Sequence, residues 1–302
     1  MYDILTRAGC FIAIIAIGYI LRRVNFFKEG DFTVLSKITL KITLPAAFVS
    51  NFAGKRIDVS MLSIALLAFG GGVLYMILGY LLNLGKSKDE KAFGVLNLPG
   101  YNIGNFTLPF IQNFLGPVGV ITTSIFDVGN AFVCLGGAFG VASTIKGSGG
   151  FSIKRIIKAL TKSVAFDTCI IMVTLSLLGI SLPAPVVSFA EIVGGANAFI
   201  AMLMLGVGFR LSGDKSQIGK IVKILGVRYG VALMIALGFY YLLPLEYEAK
   251  VALIILAFSP IGSAVPAFTE EMKGDAGLSS AINSISILCS ITAFLIILVI
   301  ML

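Results

Sequence analysis

The strongest constraint on this chain is how little of it lies outside apolar stretches long enough to cross a bilayer. A spanning helix needs roughly 17–25 mostly apolar residues. Ten such stretches run along the 302 residues, at about 5–21, 33–53, 60–82, 92–113, 117–143, 163–181, 187–209, 220–243, 250–271 and 277–301. The chain is 58% hydrophobic and 13% charged, whereas soluble domains average about 45–50% apolar residues and ~25% charged ones. The expected class is an all-α polytopic membrane protein whose first partner is the lipid bilayer.

The net charge of +8 reports topology rather than affinity for nucleic acid, because cytoplasmic loops collect Lys and Arg. Loops 1–2, 3–4, 5–6, 7–8 and 9–10 hold 16 of the 23 basic residues. The opposite side holds 4, and Lys37, Lys41 and Arg228 fall within spans. The positive-inside rule then puts both termini outside a cell membrane and the central basic loop in the cytoplasm. Residues 5–21 end in Arg22-Arg23 without a small-residue cleavage site, so they read as a retained first span. Cys10, Cys134, Cys169 and Cys289 all sit in apolar segments, and there is no histidine. That spacing suits neither a metal site nor a disulfide framework. Without a nucleophile–base arrangement, neither an enzyme nor a cofactor is expected.

A single shift of 161 residues lays the hydrophobic blocks of the second half on the first and brings Pro99 onto Pro260. Residues 1–145 form one five-span half and 162–302 the other, joined by a basic linker at 146–161. An odd number of spans per half inverts the second relative to the first, an architecture common among secondary transporters. The matched spans are also the irregular ones. Span 4 contains "NLPGYNIGNFTLP" and span 9 contains "SPIGSAVP". Proline removes an N–H and clashes with the carbonyl four residues back, so free carbonyls are expected at Val95, Asn105, Leu256 and Gly262. Broken backbone at membrane depth is tolerated where it is buried in protein or lines a wet cavity. Paired breaks in two halves point to a midplane binding site. A half-helix N-terminus there suits a carboxylate. The expected substrate site comprises Pro99, Asn102, Gly104, Asn105, Pro260 and Ser263.

Other polar residues within spans extend this reading. Asp127 lies mid-span and should face the bundle interior, where it could carry a proton or pair structurally. Asn130 shares its helix face. Lys37 is expected to snorkel to the interface. Lys41, deeper, is a candidate for steering an anion or for pairing with Asp127. Arg228 reads as a snorkelling or packing residue. Asn197, Asn283 and Ser284 are candidates for lining the substrate path, and Glu270-Glu271 reads as a solvated helix end. The "GGG" at 70–72 and "GG" at 136–137 read as close helix packing.

Three segments carry a resemblance. "SKITLKITLPAAFVSNFAG" (36–54) resembles the second span of the auxin efflux carrier family. "NIGNFTLPFIQNFLGPVGV" (102–120) and "LAFSPIGSAVPAFTEEMKGDAGLSSAINSISIL" resemble that family's fourth-to-fifth and ninth-to-tenth spans. The resemblance covers nearly the whole chain. It implies two inverted five-helix repeats, a scaffold and a transport domain, and crossing broken helices 4 and 9. This is the fold of sodium/proton antiporters and bile-acid symporters. It also implies a homodimer. The family includes plant auxin exporters and prokaryotic carriers of malate or malonate. Thr107 stands where a smaller residue is common, Ser263 where many members have Asn, and Pro266 is an additional proline. The long central loop of the plant exporters is absent, which indicates a compact prokaryotic-type member. The function expected is alternating-access transport of small organic anions coupled to a proton on Asp127. The alternatives are a sodium-coupled carrier of the same fold and a non-transporting membrane sensor or scaffold.

Overall fold

A computed structural model describes residues 2–28, 30–209 and 217–302, apart from the side chains of 2–4. Arg210 and Lys215, counted above in loop 7–8, lie outside the described residues. Those described form helices and no strand. The first six are α1 (Tyr2–Arg23), α2 (Asp31–Phe52), α3 (Val59–Leu81), α4 (Lys88–Asn97), α5 (103–114) and α6 (Pro117–Lys146). After α7 (Ile153–Leu160) come α8 (Val164–Leu178), α9 (Ala184–Gly208), α10 (Ile218–Leu242), α11 (Tyr247–Ala257), α12 (Val265–Glu271) and α13 (Ala276–Met301). Among the described residues, seven helices are long and apolar enough to cross a membrane: α1, α2, α3, α6, α9, α10 and α13. The apolar α8 is shorter. The spans expected at 92–113 and 250–271 are each two helices around a gap, α4/α5 and α11/α12. The chain is therefore a multi-pass, all-helical membrane protein.

Local chemistry sets the boundaries. Ser87 and Glu90 form a capping box at the start of α4, and Ser163 caps α8. Within α2 and α6, wide turns at Thr39–Thr43 and Val133–Gly137 bend the helix. At the second bend Gly136 has φ +154°, which a side chain would oppose. The basic linker is not unstructured. It folds into α7, whose Ile156 and Leu160 are buried while Ile153 and Ile157 stay exposed.

Two packing groups follow from where small residues let backbones approach. In the first, α9 lies along α1 and α2, and α8 packs on α2. A Cβ at Gly206 would fall 2.0 Å from Ile15 O, and one at Gly194 2.8 Å from Ala47 N. In the second, α3 packs on α4 and α6, with α10, α11 and α13 completing the layer. There a Cβ at Gly129 would fall 1.8 Å from Ala65 O, and one at Gly79 2.3 Å from Gly94 O. Gly71 and Gly72 lie against Tyr101 and Val133, so the "GGG" run is a packing surface.

Candidate functional site: the crossing of the two breaks

The gaps in α4/α5 and α11/α12 meet. The N–H of Asn102 donates to Pro260 O at 2.9 Å, a direct bond between the breaks. Gly100 permits the first turn at φ +82°. Each break is braced by an asparagine from the helix that follows. Asn130 of α6 accepts from the Tyr101 N–H (3.0 Å) and donates to the Tyr101 carbonyl (2.9 Å). Asn283 of α13 donates to the carbonyls of Ile261 (2.8 Å) and Gly262 (3.2 Å), while Ser286 Oγ accepts from the Ile261 N–H (3.1 Å). Hydroxyl and amide side chains stitch the arms together. Thr107 donates to Ser259 Oγ at 2.7 Å and Asn105 Nδ2 to Ser263 Oγ at 3.0 Å.

Arg228 of α10 holds both breaks at once. It does not snorkel: its side chain is 0% exposed. One guanidinium nitrogen donates to Leu98 O (2.6 Å). The other donates to Gly100 O (2.8 Å), Ser259 O (2.8 Å) and Pro260 O (3.4 Å). Tyr75 and Tyr101 lie against it with ring centroids 5.1 and 5.4 Å from Cζ. These carbonyls terminate α4 and α11, the ends where a helix dipole is negative. The cation therefore neutralises both C-terminal ends. Most carbonyls satisfied from outside are those of the break itself; of the four expected from proline spacing, Gly262 O is also reached from outside, by Asn283. Leu256 O accepts from Ser259 N–H and Gly262 O from Val265 N–H. The backbone leaves the helix over several residues, so the orphaned groups are the ones inside the gap.

A cavity of about 190 Å³ opens beside the first break and is lined by Asn102, Gly104, Asn105, Asp127, Asn130 and Ser263, among others. Asp127 is its only Asp, Glu, Lys or Arg among the described residues. Oδ1 accepts from Asn130 Nδ2 at 2.9 Å, and Oδ2 lies 4.0 Å from where a Cβ on Gly104 would be. Asn102 Nδ2 and Asn105 Oδ1 are buried with no hydrogen-bond partner. A second cavity, about 470 Å³, shares Ser263 and runs between α1, α9, α12 and α13 to Arg22, Glu270 and Ala276 at the basic-loop end. Beyond the crossing, the other end is filled by aromatic rings. Phe110 sits 4.6 Å from Phe114 and 5.0 Å from Phe294, and Phe11 and Phe106 extend the cluster.

The fold thus brings Asn102, Gly104, Asn105, Ser263, Asp127 and Asn130 to one cavity. Pro99 and Pro260 belong to the breaks but do not line it. Asn283 and Ser284 line the larger cavity. Asn197 lines neither cavity: it is fully buried, accepting from Thr43 Oγ1 (2.9 Å) and donating to Gln112 Oε1 (3.2 Å). Lys41 is on the exposed face of α2, away from the cavity and from any ion pair with Asp127. The α2 register that buries Thr39, Thr43 and Leu44 turns it outward. Glu271 is not merely solvated, since Arg155 of α7 binds both its oxygens at 2.9 and 2.8 Å. Sequence reasoning missed Arg228, Thr107 and Ser259. The usable signal for Arg228 was a fixed charge inside a span, which demands a buried partner.

A search among curated proteins gave no match. Residues 10–145, which hold the first break and the Asp127–Asn130 pair, match the family model described as membrane transport protein. That match covers just under half of the chain, and over it the chain is similar to membrane transport proteins.

Proposed function

We propose that this protein is a secondary transporter of small organic anions that works by alternating access, with the anion bound at the crossing of the breaks. The observation that carries the reading is the pair of buried, unpartnered amide atoms, Asn102 Nδ2 and Asn105 Oδ1, beside a cavity where two helices break. Leaving such groups unpaired costs about 1–3 kcal/mol each. A carboxylate accepting from Asn102 Nδ2 and from first-turn N–H groups of α5 would recover part of that. Arg228 supports the same polarity, because it removes negative charge from the ends of α4 and α11 before any substrate arrives.

Asp127 sets the coupling in this proposal. An ionised carboxylate beside a carboxylate substrate repels it, whereas a protonated one donates a hydrogen bond to it. Proton and anion then travel together, and the filled site carries no added charge. Release is to the basic-loop side, through the cavity that shares Ser263. Passage to the other side requires α3–α6 and α10–α13 to move against α1, α2, α8 and α9 and to separate the aromatic cluster. The proposal includes ten spans in two inverted halves, a homodimer, and a cell-membrane location with both termini outside.

The test is a thermal-shift screen of the purified protein over mono- and dicarboxylates, with and without sodium, at two pH values, followed by uptake into liposomes. At least one carboxylate should stabilise the wild type and not Asn102→Ala, and its uptake should follow an inward proton gradient. If no carboxylate stabilises the protein or crosses the liposome membrane, the reading is wrong. Strict dependence on sodium would replace the proton with that ion.

A further inference from the structure

The crossing leaves a third cavity unexplained. It measures about 310 Å³, lies at the basic-loop end, and is walled by α3, α4, α10 and α12 with the end of α6. Five lysines line it against three carboxylates. Two of the carboxylates are ion-paired and the third is hydrogen-bonded by neutral donors. Asp89 pairs with Lys146 at 2.8 Å and Glu90 with Lys86 at 3.5 Å. Asp275 accepts from the Leu278 N–H at 2.8 Å and from Gln217 Nε2 at 2.7 Å. Those neutral donors leave the Asp275 charge in place, so the cavity carries an excess of two positive charges, and among the described residues Lys220, Lys223 and Lys273 form no ion pair. Lys223 Nζ donates to Leu82 O at 3.1 Å, which satisfies a carbonyl without neutralising the ammonium. The Nζ atoms of Lys220 and Lys273 have no acceptor among the described residues.

An excess of two positive charges around one concavity favours an anion there. Their depth narrows its chemistry. Lys220 and Lys223 lie in the first two turns of α10, and Leu82 directly follows α3, so the cavity is at headgroup level. The floor is apolar, with Ile224 and Met272, and reaches Leu98 of the first break. Basic pockets between spanning helices at this level suit the phosphate of an anionic lipid.

We propose that this cavity binds a phosphate-bearing anion, the headgroup of an anionic phospholipid held by Lys220, Lys223 and Lys273 between α3 and α10. Occupancy ties α3 and α4, which lead into one break, to α10 and α12, which flank the other. The anion thereby stabilises the crossing from the face opposite the substrate cavity. This inference is independent of what the substrate is.

The full chain, in discs of neutral phosphatidylcholine, is titrated with phosphatidylglycerol or cardiolipin. Retained lipid is counted by native mass spectrometry and thermal stability is followed. A separate arm adds glycerol phosphate or inorganic phosphate to protein in neutral discs. The wild type should retain anionic lipid selectively and melt several degrees higher with it. Lys220→Gln/Lys223→Gln/Lys273→Gln should lose both effects while melting like the wild type in neutral discs. Lys154→Gln/Lys158→Gln/Lys162→Gln, which removes equal charge elsewhere on the same face, should keep both. A full shift with glycerol phosphate alone supports the site but makes its ligand a soluble phosphate ester. Equal lipid retention and equal shifts in wild type and the pocket triple variant would overturn the proposal, as would loss of both effects in the two triple variants alike.

Discussion

A guanidinium enclosed by protein and lacking a carboxylate must be held by carbonyls, and Arg228 is held by four, from both breaks. Its planar fork reaches all of them, whereas an ammonium cannot. Arg228→Gln should therefore destabilise the protein by roughly 3–5 kcal/mol, as removing one side of a buried charge network does. Arg228→Lys, which retains the charge but not the fork, should fall in between. Thermal unfolding in detergent checks both, and a Gln variant that melts like the wild type would show the carbonyls to be otherwise satisfied. Asp127 is a different case, because Asn can keep its bond with Asn130 while being unable to take up a proton. Asp127→Asn should fold normally and lose the dependence of carboxylate uptake on the proton gradient. A variant with intact pH-driven uptake would remove Asp127 from the coupling.

Between helices, glycines decide how close the backbones come. The α3–α6 contact has no room for a methyl group at Gly129, where a Cβ would fall 1.8 Å from Ala65 O. Gly129→Ala should cost about 1–3 kcal/mol, the usual penalty for overpacking. It should also loosen Asn130, the next residue, from Tyr101. Gly230 in α10 meets nothing within 4 Å, so Gly230→Ala should stabilise by about 0.5–1 kcal/mol through helix propensity alone. Paired melting curves test the contrast, and equal effects of the two substitutions would contradict the packing account. The linker helix α7 is also held at this scale. Arg155 binds Glu271 and stacks 4.0 Å over Phe139.

For the molecule as a whole, the consequence is sidedness. The larger cavity joins the crossing to the basic-loop end, and the aromatic cluster fills the other. In a variant lacking the native cysteines, Ser263→Cys should react with a membrane-impermeant maleimide added on the basic-loop side. Phe106→Cys should resist reagent from either side. Labelling of Ser263→Cys only from the opposite side would reverse the assigned opening.

The sequence by itself determined the elements that local physics controls. Long apolar runs must become helices, because lipid offers no partner for backbone groups. The prolines at 99 and 260 break two of those runs, because proline cannot continue the hydrogen-bond ladder. The tertiary structure alone decided what the breaks meet. The positions of Arg228 behind both gaps, Asn197 between α2 and α5, and Lys41 on an exposed face depend on helix rotation and on contacts more than 100 residues apart in some cases. An apolar run specifies that its helix is buried in membrane or protein. It does not specify which face turns toward which neighbour, and that rotation is set by close packing of the other helices.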